Sequence, residues 1–146
     1  MTQLETCEIK FKEWLDEKNY GYLHISQDVA TFSNFFRDLM KRPDFLIVLP
    51  SISIIAVDVK YYTKYRDFIF DEKEVKNFST FERYLRLPVW YAIAASKRFA
   101  TWYWISNSEV LERGIRKSSK TGYFYAISPK TTKQVAPDDS IAKIFM

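Results

Sequence analysis

Two strand-length apolar runs joined by a proline turn constrain this chain more than any other feature. They are Phe45-Leu46-Ile47-Val48, entered through Lys41-Arg42-Pro43-Asp44, and Ile54-Ile55-Ala56-Val57-Asp58-Val59-Lys60-Tyr61-Tyr62. Both are rich in β-branched residues, Pro43 fixes the backbone entering the first, and Pro50-Ser51 supplies turn chemistry between them, so the pair predicts a β-hairpin. Charged residues fall at one end of it. Asp44 opens the first strand, while Asp58 and Lys60 interrupt the second at a spacing of two, which puts both side chains on one face with Val57 and Val59 on the other. Two carboxylates and an ammonium are therefore expected to converge. Adjacent carboxylates repel and resist ionising unless a cation lies between them, and oxygen donors of this kind suit a hard divalent ion such as Mg²⁺ or Mn²⁺.

Upstream, Leu4, Glu8, Phe11 and Leu15 recur at the spacing of one helical face, widened by Trp14, and predict a helix over residues 3–18. Glu8 is a carboxylate on an otherwise apolar stripe, a costly placement unless it is paired or metal-bound, and Glu5 is its substitute. The plain alternative is that Glu8 lies at the rim and reaches water. Asn19 to Gly21 ends the helix, Tyr22-Leu23-His24-Ile25 predicts a short strand, and Ser33 is positioned to cap a helix over residues 34–40. Lys41 and Arg42 in its last turn suit the helix dipole and are also placed to meet a phosphate. His24 has no second His or Cys partner and reads as a locally packed histidine.

Residues 63–77 carry mixed charge without periodicity and predict a solvated loop, or a loop plus a short turn of helix, in which Lys64 is a candidate phosphate contact and Glu72 and Glu74 receive no role. Ser79-Thr80-Phe81-Glu82 has capping-box spacing and predicts a helix running to about residue 98, broken or kinked at Pro88, its apolar second half Val89–Ala95 packed on the sheet. Arg83, Arg86, Lys97 and Arg98 around it read as ordinary surface charge. Ala100–Ile105 predicts a central strand, Glu109–Arg113 a short helix and Tyr123–Ile127 a further strand. Between the last two, Arg113, Arg116, Lys117 and Lys120 place four positive charges in eight residues, expected as a mobile basic loop able to contact a phosphate backbone or, equally, as a solvated tip. Residues 129–139 read as a polar connection and 140–146 as a docked or frayed tail.

Pro43-Asp44, thirteen intervening residues, then Asp58-Val59-Lys60 resembles the signature of the PD-(D/E)XK nuclease superfamily, and its Arg-Pro-Asp-Phe start and Val-Asp-Val-Lys-Tyr end are similar to its Holliday-junction resolvase-like branch. The resemblance implies an α/β fold, a restriction endonuclease-like mixed sheet flanked by helices with an α-β-β-β-α-β core. It also implies that Asp44 and Asp58, with the Val59 carbonyl and a first-helix acid matched best by Glu8, hold Mg²⁺ or Mn²⁺. Lys60 is then expected to orient or help deprotonate a water and offset developing charge, in a metal-dependent endonuclease whose partner is DNA. Two other classes stand beside it. One is a catalytically inactive DNA-binding or assembly subunit of the same fold. The other is an unrelated small α/β interaction domain in which Asp58 pairs with Lys60 or Arg42.

Composition fits these expectations and excludes several others. At 146 residues, with 47% hydrophobic side chains, the chain is expected to form a single domain, 1–146, with its own core. One Cys excludes an internal disulfide and a cysteine-built zinc site, one His disfavours a His-clustered metal, and three Gly argue against a glycine-lined nucleotide loop. A net charge of +4 is a mild bias toward polyanions. No apolar run has membrane-spanning length and no charged-then-apolar leader opens the chain, so a cytoplasmic protein without membrane contact is expected. A symmetric homodimer is expected if two strands are cut.

Overall fold

The computed structural model describes residues 2–28, 33–36, 39–62, 66–96 and 98–146. Helix α1 (Gln3–Glu17) opens on a capping box: Thr2 Oγ1 accepts from the Glu5 N–H at 3.1 Å and Glu5 accepts the Thr2 N–H at 2.7 Å. Its buried stripe is Cys7, Phe11, Trp14 and Leu15. Leu4, expected on that stripe, is 45% exposed.

A six-stranded sheet follows, in the spatial order β1-β2-β3-β5-β6-β9. Its strands are β1 (Gly21–His24), β2 (Phe45–Leu49), β3 (Ser53–Tyr61), β5 (Val89–Ala94), β6 (Trp102–Ser106) and β9 (Lys133–Val135). The predicted hairpin is present, with Phe45 opposite Val57 and Leu49 opposite Ser53. Strands β3 and β5 run parallel, joined by a crossover through β4 (Phe68–Asp71) and α2 (Glu72–Leu85), and the remaining neighbours are antiparallel. The α-β-β-β-α-β order is thus α1, β1, β2, β3, α2, β5. A second sheet of three strands, β4-β8-β7, is completed by β7 (Ile115–Ser119) and β8 (Gly122–Ile127) beyond α3 (Asn107–Arg113).

The two faces of the large sheet are covered by different elements. On one, α1 and the segment Ile141–Phe145 pack against Phe45, Ile47, Val57, Val59, Trp102 and Trp104. On the other, α2, α3 and the small sheet pack against Ala56, Val89, Tyr91, Ile93 and Ile105. Strand β5 lies between and is buried at all six positions. Among the described residues no helix is long and apolar enough to cross a membrane.

Several expectations are corrected. The apolar run Val89–Ala94 is a strand and not the second half of a helix, because a parallel strand covered on both faces needs apolar residues throughout and shows no period of two. Helix α2 begins seven residues before the Ser79 capping pattern, within the stretch expected as a loop with at most a short turn of helix. Asp71 is its N-cap, accepting from the Glu74 N–H at 3.1 Å, while Ser79 and Thr80 hydroxyls donate back to the Val75 and Lys76 carbonyls in mid-helix. The helix ends before Pro88, on Arg86 in the left-handed region (φ 56°). The basic stretch after Arg113 is strand β7 of a hairpin with β8, not a loop. Of the helix expected over 34–40, Asn34–Phe36 is one 3-10 turn, and 37 and 38 lie outside the described residues, as do Lys64 and Lys97. Within the expected connection 129–139, Lys133–Val135 forms the sheet's last strand. The segment after it is docked, with Ile141 and Ile144 buried.

If Asp71 caps α2, Asp71→Ala lowers stability by about 1 kcal/mol. Urea unfolding reads this as a lower midpoint at unchanged slope, and an unchanged midpoint rejects the assignment.

Candidate active site

The site arises where one strand outruns its neighbour. Strand β3 is nine residues long and β2 five, so beyond the Phe45–Val57 pair β3 continues without a partner on that side. Asp44 fills the gap. Its N–H donates to the Val57 carbonyl at 2.9 Å, and its carboxylate accepts the Val59 N–H at 2.8 Å, satisfying a ladder amide that would otherwise be orphaned. Pro43, lacking an N–H and fixed in φ, delivers Asp44 to this position.

Alternation then sends Asp58 and Lys60 to the α2 face, with Val57 and Val59 in the opposite core, as the spacing predicted. Asp58 is 3% exposed. Lys60 Nζ lies 3.1 Å from Asp58 Oδ2, also contacts Glu74 Oε1, and stands 5.8 Å from the centre of the Tyr91 ring. Lys41 Nζ is 3.1 Å from Glu74 Oε1 and 3.9 Å from Asp58 Oδ2, above the Phe78 ring. Glu8, from α1, approaches Asp44 from the other side, and Asp44 acts electrostatically on both Glu8 and Asp58. Glu5 is engaged in the helix cap instead.

Desolvation sets the protonation of this group. Burial pushes the Asp58 carboxyl up to about 8, against the opposing pull of Lys60, and the Asp44 and Lys41 charges follow in turn. Asp44 is raised chiefly by burial, and so is Glu8, which also feels Asp58. Glu74 is lowered because Lys60 and Lys41 outweigh its burial. Burial works against the Lys60 ammonium, yet Asp58 and Glu74 overcome it and raise its pKa, so Lys60 stays charged at neutral pH. The carboxyls run in series from Glu8 through Asp44 to Asp58. Among the described residues no three or more His, Cys, Asp or Glu side chains close into a cage for a metal ion.

The structure therefore brings together Asp44, Asp58, Lys60, Glu8 and Lys41, and adds Glu74, which sequence reasoning passed over. The signal for Glu74 was Val75, Phe78 and Phe81, apolar at helical spacing, which starts a helix near Asp71 and puts Glu74 in its first turn. The other cations are held elsewhere. Arg42 donates to the Ser26, Gln27 and Asp28 carbonyls at 2.8–2.9 Å, tying down the segment after β1. Arg113 pairs with Glu109 at 2.7 Å on α3. Arg116 forms a two-point pair with Glu72, at 2.5 and 3.3 Å, and stacks on the Tyr123 ring at 3.6 Å. That pairing holds the Glu72 carboxyl down at about 2. Lys117 and Lys120 are exposed on the β7–β8 hairpin. His24 stacks on Phe45 at 4.6 Å and borders a cavity of about 510 Å³ with Glu5, Glu8, Ile9 and Lys12, which opens beside the carboxyl series.

A group whose pKa rises on folding adds stability at low pH and loses it as pH climbs through the folded value. For Asp58 the window runs from about 4, its unfolded value, to about 8. In chelator, Asp58→Asn is expected to show a smaller fall in Tm between pH 5 and 8 than wild type does. An equal or steeper fall in the variant contradicts this electrostatic description.

No protein-family model matches the chain, and no curated protein matches it. Among solved structures, the chain is similar to Archaeoglobus fulgidus Hjc, a Holliday junction resolvase from an archaeal hyperthermophile, with a TM-score of 0.62 and 13% sequence identity. The match covers 98% of this chain and 95% of that one. The shared property is the fold: the chain has the mixed α/β, nuclease-like architecture of that resolvase, with a mixed sheet flanked by helices.

Proposed function

We propose that the chain is a divalent-metal-dependent endonuclease that hydrolyses phosphodiester bonds in DNA and selects its substrate by structure. The observation that carries this reading is the convergence of Glu8, Asp44, Asp58 and Lys60 at the strand overhang of a resolvase-like fold. The donor chemistry fits Mg²⁺ or Mn²⁺: the groups are hard oxygens, and the half-buried Asp44 carboxylate, tied to the Val59 N–H, sits beside the buried Asp58. Asp44, Asp58, Glu8 and the Val59 carbonyl would hold the ion. When bound, such an ion polarises a phosphate and lowers the pKa of a coordinated water.

The chain's own groups supply the rest. Lys60 is held as an ammonium by Asp58 and Glu74, so it donates hydrogen bonds and offsets developing negative charge and is not the group that takes a proton. Val59, locked to Asp44 through its N–H, keeps the two strands in register beneath the site. Lys41, 40% exposed in its side chain and beside the carboxylates, is a cation available to a neighbouring phosphate. Lys117 and Lys120 extend positive charge along the hairpin, and Lys64 is assigned the same role from the sequence. Arg42, Arg113 and Arg116 meet DNA only through donors left over from their protein partners. Cutting both strands of a branched molecule requires two sites, which a symmetric pair of these chains supplies.

With Mg²⁺ or Mn²⁺, the wild-type chain is expected to cleave four-way DNA junctions in preference to linear duplex. Asp58→Ala is expected to abolish cleavage, and Lys60→Ala to lower single-turnover rates by roughly 10²- to 10⁴-fold. The same ions are expected to raise the wild-type Tm but not that of Asp58→Asn. DNA binding without cleavage identifies the inactive-subunit alternative. Absence of DNA binding at low salt removes the nucleic-acid reading altogether.

A further inference from the structure

We infer that Glu74 is a positioning residue for Lys60, the anchor that keeps this ammonium in place once Asp58 is engaged by a cation. The inference rests on the nuclease reading above. A lysine ammonium is a point charge on a flexible four-carbon stem, with none of the built-in geometry of a guanidinium, so its location is set by the anions around it. Among the described residues Lys60 has two, Asp58 at 3.1 Å on its own strand and Glu74 on α2. In the proposed reaction Asp58 is an oxygen donor to a divalent ion. With Asp58 holding such an ion, its carboxylate would be shared with that cation, and among the described residues Glu74 would be the anion left to Lys60.

Glu74 is built for this task independently of β3. It lies in the first turn of α2, where its N–H is held by the Asp71 cap, and two residues before it Glu72 is fixed by Arg116. Among the described residues the direct contacts of its carboxylate are two ammonium groups. These differ in freedom: the Lys60 side chain is 17% exposed and that of Lys41 40%. Lys41, 3.1 Å from Glu74, is therefore the one free to turn toward a substrate phosphate. Its departure concentrates the Glu74 charge on Lys60 at the moment when Asp58 is withdrawn.

The test compares wild type, Glu74→Gln, Glu74→Asp, Lys60→Ala and the Glu74→Gln/Lys60→Ala double variant of the full chain. Cleavage of a four-way junction is followed in single turnover at saturating enzyme with Mn²⁺. Glu74→Gln is expected to lower the rate about tenfold or more, with the dissociation constants for Mn²⁺ and for the junction within about twofold of wild type. In the Lys60→Ala background the same change is expected to cost nothing further, because a group acting through Lys60 has nothing left to position. Glu74→Asp keeps the charge and is expected to fall between the two, and it serves if the Gln variant does not fold.

A second readout needs no turnover: in proton–nitrogen spectra of ¹⁵N-lysine protein with Mn²⁺ replaced by Mg²⁺, the Lys60 ammonium signal is expected to be sharp in wild type and lost or broadened in Glu74→Gln. If wild type cleaves and the Glu74 variants cleave equally fast, or their losses multiply with that of Lys60→Ala, the inference fails while the nuclease reading stands. If wild type does not cleave, the nuclease reading fails, and an unchanged Lys60 signal in Glu74→Gln then overturns the positioning role as well.

Discussion

The structure depends on placing a charged residue in a strand that is covered on both faces. Strand β3 lies between β2 and β5, with α1 on one side and α2 on the other, so an Asp at position 58 is left only 3% exposed. Burying an unpaired carboxylate is costly enough that the group must be neutralised, paired or bound to a cation. The arrangement around it follows from that constraint. Two lysines approach from one side and the Asp44 carboxyl from the other, and the elements carrying them are fixed by the strand overhang and by the cap of α2. The site is polar because its location is otherwise dry.

Much of this was legible in the sequence, and the parts that were not have physical causes. Strand β2 and α1 could be read because each buries one face, which leaves a period of two or of 3.6, and β3, covered on both faces, because a proline turn ties it to β2 and Asp58 and Lys60 mark its alternation. Strand β5 buries both faces, so Val89–Ala94 carries no period, and a helix of similar composition looks the same over six residues. The start of α2 was obscured by Ser79-Thr80-Phe81-Glu82, a cap-like pattern whose hydroxyls serve mid-helix carbonyls and whose glutamate accepts the Val89 N–H and an amide hydrogen of Asn107. Asp44, Asp58 and Lys60 were readable because their spacing is local. The pairing of Glu74 with Lys60 joins two elements across a crossover, and only the fold could disclose it.

The basic residues teach a related lesson about composition. A run such as Arg113 to Lys120 invites a reading as one electropositive surface. The structure divides it: Arg116 braces the first turn of α2, Arg113 braces α3, and Lys117 and Lys120 stay in solvent. Arg42 likewise holds three successive carbonyls, a use suited to a forked donor, whereas the neighbouring Lys41 turns its single ammonium into the site. Net charge alone does not separate the cations that support the fold from those facing a ligand.

The pairing of β9 with β6 bears on how the chain acquires its structure during synthesis. Until residues 133–135 are in place, β6 is an open edge carrying Trp102 and Trp104, and the surface later sealed by Ile141 and Ile144 is bare. Further tail contacts reach back to α1 and its following turn, where Lys18 donates to the Pro137 carbonyl and Tyr20 accepts the Ile141 N–H at 2.9 Å. A nascent chain thus displays a sticky, tryptophan-rich border until these late residues leave the ribosome, the stage at which aggregation competes most strongly with folding.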